Sequence, residues 1–290
     1  MAETTPLLPR PNRPPHEHSI FQRVCHSPWY HLDQRGLFFT RGFLALYLTT
    51  TLVFGIIRES RSENRVIARL LPFDASLISF VIQTIYYWIT AIWAFEHLTG
   101  PHHRLPPHEQ AKGRVLANIQ NAFSIPKNTD VNSKRRLAFS LFYTAAIIFP
   151  LVTTTVYWLF LFPLDFQPDP LSWPRFLQYF KIANFTIINS VVALLEVMVI
   201  SSVQKQKPLG FQLKGITAIC MAYVLWVVLC RYITGQWIYG YFDSTQDWRT
   251  ILQTYTYISS LTVNVFMTQR ALHALRERMA RKAQCDHRGR

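Results

Sequence analysis

Residues 182–203, IANFTIINSVVALLEVMVISSV, decide how the chain is read. The stretch is long and apolar enough for a helix crossing a bilayer, which takes about 20 residues. It nevertheless carries Asn184, Thr186, Asn189 and Glu196. At 3.6 residues per turn, Thr186, Asn189 and Glu196 fall within roughly 80° of one another around the axis. An ionisable group in hydrocarbon costs at least about 2.5 to 3.5 kcal/mol on insertion scales, so the stripe is expected to face other helices or a watery interior. Two roles are open to it: hydrogen bonds that hold helices together, or a reaction or ligand site.

Five further apolar blocks flank it, at residues 37–57, 76–95, 137–162, 215–233 and 251–267. Half of all residues are hydrophobic and 16% are charged. Continuous blocks of this length lack the alternation of barrel strands, and in lipid the backbone must be satisfied within each segment. The expected fold is all-α, a multi-pass transmembrane bundle of six helices spanning residues 36–269. A disordered, Pro-rich tail is expected at residues 1–35 and a basic tail at 270–290.

The net charge of +14 is read loop by loop. The two tails and the loops sharing their side hold 21 Lys plus Arg, against 8 on the other side. Both termini are therefore predicted cytoplasmic, in a protein of the endomembrane system or plasma membrane, and nucleic acid is not an expected partner. Arg41, left over at the start of the first block, is expected to snorkel to the headgroups. Cys25, Cys220, Cys230 and Cys285 imply no disulfide framework. The segment with Glu3, Leu7 and Leu8 (ETTPLL) resembles acidic dileucine sorting signals. His97, His102, His103 and His108 form a single cluster, too few ligands for a histidine-box iron site, so neither metal nor cofactor is expected.

In the second block, Ser76, Gln83 and Thr90 recur every seven residues and form another polar line. Pro72 and Asp74 precede it as helix-start residues. By the charge rule, Ser76 and Thr186 both lie near the non-cytoplasmic side. In the third block Pro150 is expected to kink the helix, and Trp158, Trp173 and Tyr179 to sit in an interfacial belt.

The fifth block and its continuation, GITAICMAYVLWVVLCRYITGQWIYGYFD at residues 215–243, closely resemble the androgen-induced transmembrane protein family. The shared features are the TAIC start, the YVLW core and the TGxWxY ending. The resemblance runs from about the second block to the sixth. It implies six membrane helices and, from some relatives, hydrolysis of fatty acid esters of hydroxy fatty acids by a membrane-embedded threonine nucleophile and a histidine. Anchoring SLISFVIQTIYY on Gln83 places Ser76 at the nucleophile position. Anchoring SVVALLEVM on Glu196 places Thr186 where the family has its histidine, so the general base is absent. Asn189 lies near that position, but an amide takes no proton as imidazole does. Glu196 is about 15 Å along the helix from Thr186. Asn189, Glu196 and Arg231 are the candidate substrate-binding residues, Arg231 as a carboxylate partner. Two functions follow, with membrane lipids as partners in both: hydrolysis of a lipid ester, or non-catalytic binding of a lipid or partner.

Overall fold

The second apolar block shows how a helix start is built here. Leu71–Phe73 is a 3₁₀ turn with proline in its first turn. Asp74 follows in extended backbone, and its Oδ1 accepts the Ser76 N–H at 2.9 Å. This is N-cap chemistry, in which a carboxylate satisfies one of the orphan donors of the first turn.

The computed structural model describes residues 20–29, 32–60, 69–99, 133–161, 173–203, 209–239 and 248–288. Its helices are α1 (Ile20–Val24), α2 (Gln34–Ser60), α3 (Ala75–Thr99), α4 (Ser133–Val156), α5 (Trp173–Ala183), α6 (Asn189–Leu195), α7 (Leu209–Thr234) and α8 (Trp248–Arg288). Three π turns interrupt them: Tyr157–Leu161 ends α4, Asn184–Ile188 joins α5 to α6, and Glu196–Ile200 ends α6. Among the described residues there is no strand. Five helical stretches are long and apolar enough to cross a membrane: Gln34–Ser60, Ala75–Glu96, Arg135–Leu161, Leu177–Ile200 and Leu209–Thr234. The chain is thus a multi-pass, all-helical membrane protein. The block expected at 251–267 lies within α8, where Gln253, Ser259, Ser260 and Asn264 dilute the apolar residues and keep it out of that set.

The bundle core is aromatic and aliphatic. Phe80 of α3 stacks on Phe185 at 4.5 Å between centroids, and Gly55 of α2 lets the same ring approach. A Cβ at Gly55 would sit 2.8 Å from Phe185 Cζ. Gly55→Leu is therefore expected to cost about 1 to 3 kcal/mol by overpacking, read as a lower melting temperature in detergent. An unchanged melting temperature would show that α2 and the Phe185 ring are not in contact.

α8 lies antiparallel to α4. Tyr257 meets Phe160 at 5.0 Å, Phe266 packs with Ile148 and Val152, and His273 Nε2 lies 3.5 Å from the Tyr143 hydroxyl. The contacts run from Tyr257 to His273 of α8, about 24 Å of helix at 1.5 Å per residue. α7 is held at its start by α4, where Gln212 Oε1 accepts from Thr144 at 3.0 Å. Past its middle it is fastened to the entrance of α3, through Trp226 Nε1 to Pro72 O at 3.2 Å and Tyr223 to Phe73 O at 3.1 Å.

Three expectations change. The Pro-rich residues 1–19, with the dileucine-like segment, lie outside the described residues. Residues 20–29, however, belong to the folded core: Phe21 packs between Trp93 and Phe139 at 5.5 and 5.2 Å, and Trp29 Nε1 donates to Met198 O at 2.9 Å. A single turn carrying Ile20, Phe21 and Val24 has enough apolar surface to dock, although it is too short to stand alone. Residues 270–288 continue α8 as helix, with His273 and Arg276 buried. Arg276 donates to Val197 O at 2.7 Å and to Ser201 O and Val203 O at 2.5 Å each. A cation there satisfies carbonyls that a helix C-terminus leaves orphaned. Finally, Arg41 does not reach out to the headgroups; it is fully buried and paired with Glu196.

Candidate functional site

α3 and the rod formed by α5, its π turn and α6 run side by side in the same direction, and their polar stripes meet. Asn189 Nδ2 donates to Ser79 Oγ at 3.3 Å, and Gln83 Nε2 donates to the Asn189 carbonyl at 3.1 Å. Ser79, Gln83 and Asn189 are all buried, as the inward stripe requires. Ser76 and Thr186 each precede the Ser79–Asn189 contact by three residues, about 4.5 Å of helix. They therefore share a depth, one turn toward the end at which both helices start.

At that end Ser76 stands in a cluster of oxygens. Asp74 Oδ1 takes the Ser76 amide at 2.9 Å and lies 3.4 Å from the Tyr239 hydroxyl. Tyr239 in turn accepts the Ala75 N–H at 3.0 Å and a 3.4 Å contact from the Tyr223 hydroxyl. Burial pushes the Asp74 carboxyl above its usual range, opposed by the hydrogen bond from Ser76. Tyr239 closes the TGxWxY ending, so the motif after α7 folds back onto the entrance of the helix that bears Ser76.

Thr186 is committed differently. Its hydroxyl donates to Ile182 O at 2.7 Å within its own helix, and its carbonyl accepts from Thr154 Oγ1 at 2.8 Å. Thr154 also lies 2.7 Å from Ser190 Oγ, which donates to Pro150 O at 2.9 Å. Small hydroxyls thus fasten α4 to the rod, the packing role such residues have in membrane bundles.

Glu196 sits two turns deeper than Asn189. Its Oε1 accepts from Arg41 Nη2 at 3.2 Å and from the Tyr86 hydroxyl at 2.5 Å, and Arg41 Nη1 reaches Thr90 O at 3.4 Å. Both side chains of the ion pair are 0% exposed. Glu196 Oε2, Asn189 Oδ1 and Gln83 Oε1 have no hydrogen-bond partner among the described residues. Arg231 belongs to neither group. It is exposed near the end of α7, with its guanidinium 5.9 Å from the Trp237 ring centroid.

The structure therefore brings Ser76 and Thr186 to one depth, joins Asn189 to α3, and assigns Glu196 to an ion pair. Asp74, Tyr239, Arg41 and Tyr86 were absent from the candidates named from sequence. In the sequence Asp74 reads only as a helix start, and Tyr239 only as part of a motif. No protein-family model, curated protein or solved structure matches the chain.

Proposed function

We propose that this chain is a six-span membrane protein of the lipid-ester hydrolase type, related to the androgen-induced transmembrane proteins, with Ser76 as nucleophile and Asp74 as its proton acceptor. One observation carries the reading. The residue standing where the family nucleophile stands lies two positions from a half-buried carboxylate that accepts its amide N–H and is bonded to Tyr239 of the motif shared with the family. A hydroxyl is a poor nucleophile without an adjacent base, and a carboxyl raised by burial is more basic than one in water. In the reaction, the Ser76 oxygen adds to the ester carbonyl as its proton passes to Asp74. The alcohol then leaves with a proton, and water releases the acid from the acyl-serine. A fluorophosphonate probe applied to the protein in membranes is expected to label wild type and not Ser76→Ala. Equal labelling of the two would remove Ser76 from the chemistry.

The second reading, a non-catalytic protein that binds a lipid or partner in the same bundle, is favoured by Thr186. Its hydroxyl is spent inside its own helix, and it offers no imidazole. Failure of the wild type to label, with its fold intact, selects this reading.

The sixth crossing is supported by the run of α8 along α4, and cytoplasmic termini by the 21-to-8 distribution of Lys and Arg. A glycosylation acceptor placed near Gln167 is expected to be modified in cells and one appended after Arg290 is not. The reverse pattern would invert the orientation.

A further inference from the structure

We propose that the end of the bundle opposite Ser76 carries a site for the phosphorylated headgroups of anionic lipids, formed by Arg135 and Arg136 of α4 with Arg278, Arg281 and Lys282 of α8. The contact between Tyr143 and His273 sets the relative depth of the two helices. Arg135 lies eight residues before Tyr143, and Arg281 eight residues after His273. Both are therefore about 12 Å beyond the contact, on neighbouring antiparallel helices. All five cations are exposed, and none has an ion pair among the described residues. The single acid between Arg270 and Lys282 is Glu277. Five like charges on adjacent helices repel one another and are relieved by an anion.

The depth and the apolar neighbours identify that anion as a lipid. Arg135 is the first residue of the stretch of α4 able to cross the membrane, so the cluster stands where hydrocarbon gives way to headgroups. On α8, Leu275 and Met279 are exposed by 48% and 37%. With Arg278 and Lys282 they occupy positions i, i+3, i+4 and i+7, hence one face. Alternation of apolar and basic residues on a face is the pattern of helices lying in a lipid interface, where the stems stay in apolar surroundings and the charges reach phosphates. The face cannot roll away, because Arg276, about 100° around the helix from Leu275, is bonded to the carbonyls of Val197, Ser201 and Val203. Five cations within about 6 Å of depth favour a headgroup bearing several phosphates over one with a single charge.

The test uses the full chain in detergent micelles, titrated with acyl-labelled phosphatidylinositol bisphosphate. Saturable binding is expected for wild type. The triple variant R278Q/R281Q/K282Q is expected to bind on the order of 100-fold more weakly, with unchanged helicity by circular dichroism. L275S/M279S is expected to weaken binding of the lipid while leaving binding of soluble inositol trisphosphate unchanged. Wild-type binding no tighter than to labelled phosphatidylcholine overturns the proposal, as does a folded triple variant that binds like wild type. Equal affinity for phosphatidylserine overturns the preference for clustered phosphates. An unaffected L275S/M279S overturns the assignment to a lipid in favour of a free polyphosphate, and displacement of the lipid by a short RNA at lower concentration overturns the choice of a membrane partner.

Discussion

Replacing Arg41 with alanine is expected to cost about 3 to 5 kcal/mol of stability, the penalty for leaving a buried partner charge uncompensated. Glu196 would keep the Tyr86 hydrogen bond but lose the only cation bonded to it among the described residues. The pair ties α2 to the end of the α6 rod, and Tyr86 adds α3, so one substitution loosens three helices. Glu196→Ala is expected to be as damaging, since it strands the Arg41 guanidinium. Tyr86→Phe, which removes one hydrogen bond to a charged group, should cost about 1.5 to 3 kcal/mol. The double change Arg41→Met with Glu196→Leu removes both charges at similar volume and should recover most of the loss. The temperature at which detergent-solubilised protein leaves its monodisperse size-exclusion peak reports all four variants. If Arg41→Ala melts with the wild type, the arginine lies at the headgroups after all and the ion pair is not formed.

The proposed ester hydrolysis is the second place where a large effect is expected. A positioned general base typically contributes about 10² to 10⁴ in rate. Asp74→Asn keeps the shape of the N-cap and removes the proton acceptor, so it should lower hydrolysis of a long-chain ester by a factor in that range. Thr186→His should raise it, because position 186 shares the depth of Ser76 on the adjacent helix and imidazole would supply a general base there. Ser76→Ala should abolish the gain. The sign pattern separates the readings. A protein in which Asp74→Asn is silent and Thr186→His gains activity through Ser76 retains the pocket but has no native base. One in which neither change nor Ser76→Ala alters a brisk native rate places the nucleophile elsewhere.

The long apolar blocks were legible because length and composition alone satisfy the demands of a bilayer. The inward direction of Asn189 and Glu196 was legible for the same reason, since lipid excludes them. The partner of Glu196 was not. Arg41 stands only four residues into its block, where snorkelling and burial are equally allowed by sequence, and the choice depends on what the neighbouring helices present at that depth. Asp74 and Tyr239 are 165 residues apart, and only the docking of α7 beside the entrance of α3 joins them. Residues 20–29 were hidden by composition: a tail rich in proline and polar residues ends in one apolar turn whose helicity depends on Trp93 and Phe139. Hydropathy falls after Met267 and divides the sequence of α8 into a membrane block and a tail, yet the helical backbone continues where the side chains turn basic.

The π turn at Asn184–Ile188 changes how residues in this chain are to be matched with those of any relative. In it the Asn189 amide reaches back to the Asn184 carbonyl, five residues away rather than four. Such a turn is what remains when one residue has been inserted into an α-helix without breaking it. A residue count therefore measures angle on either side of the turn but not across it. Counting ten positions back from Glu196 to reach Thr186 crosses this boundary, and a relative whose rod is uniformly α-helical would present its side chain from one position away. Alignment through this helix is best drawn in three dimensions, from Asn189 against Ser79 outward, with the extra residue assigned to the turn instead of being spread along the stripe.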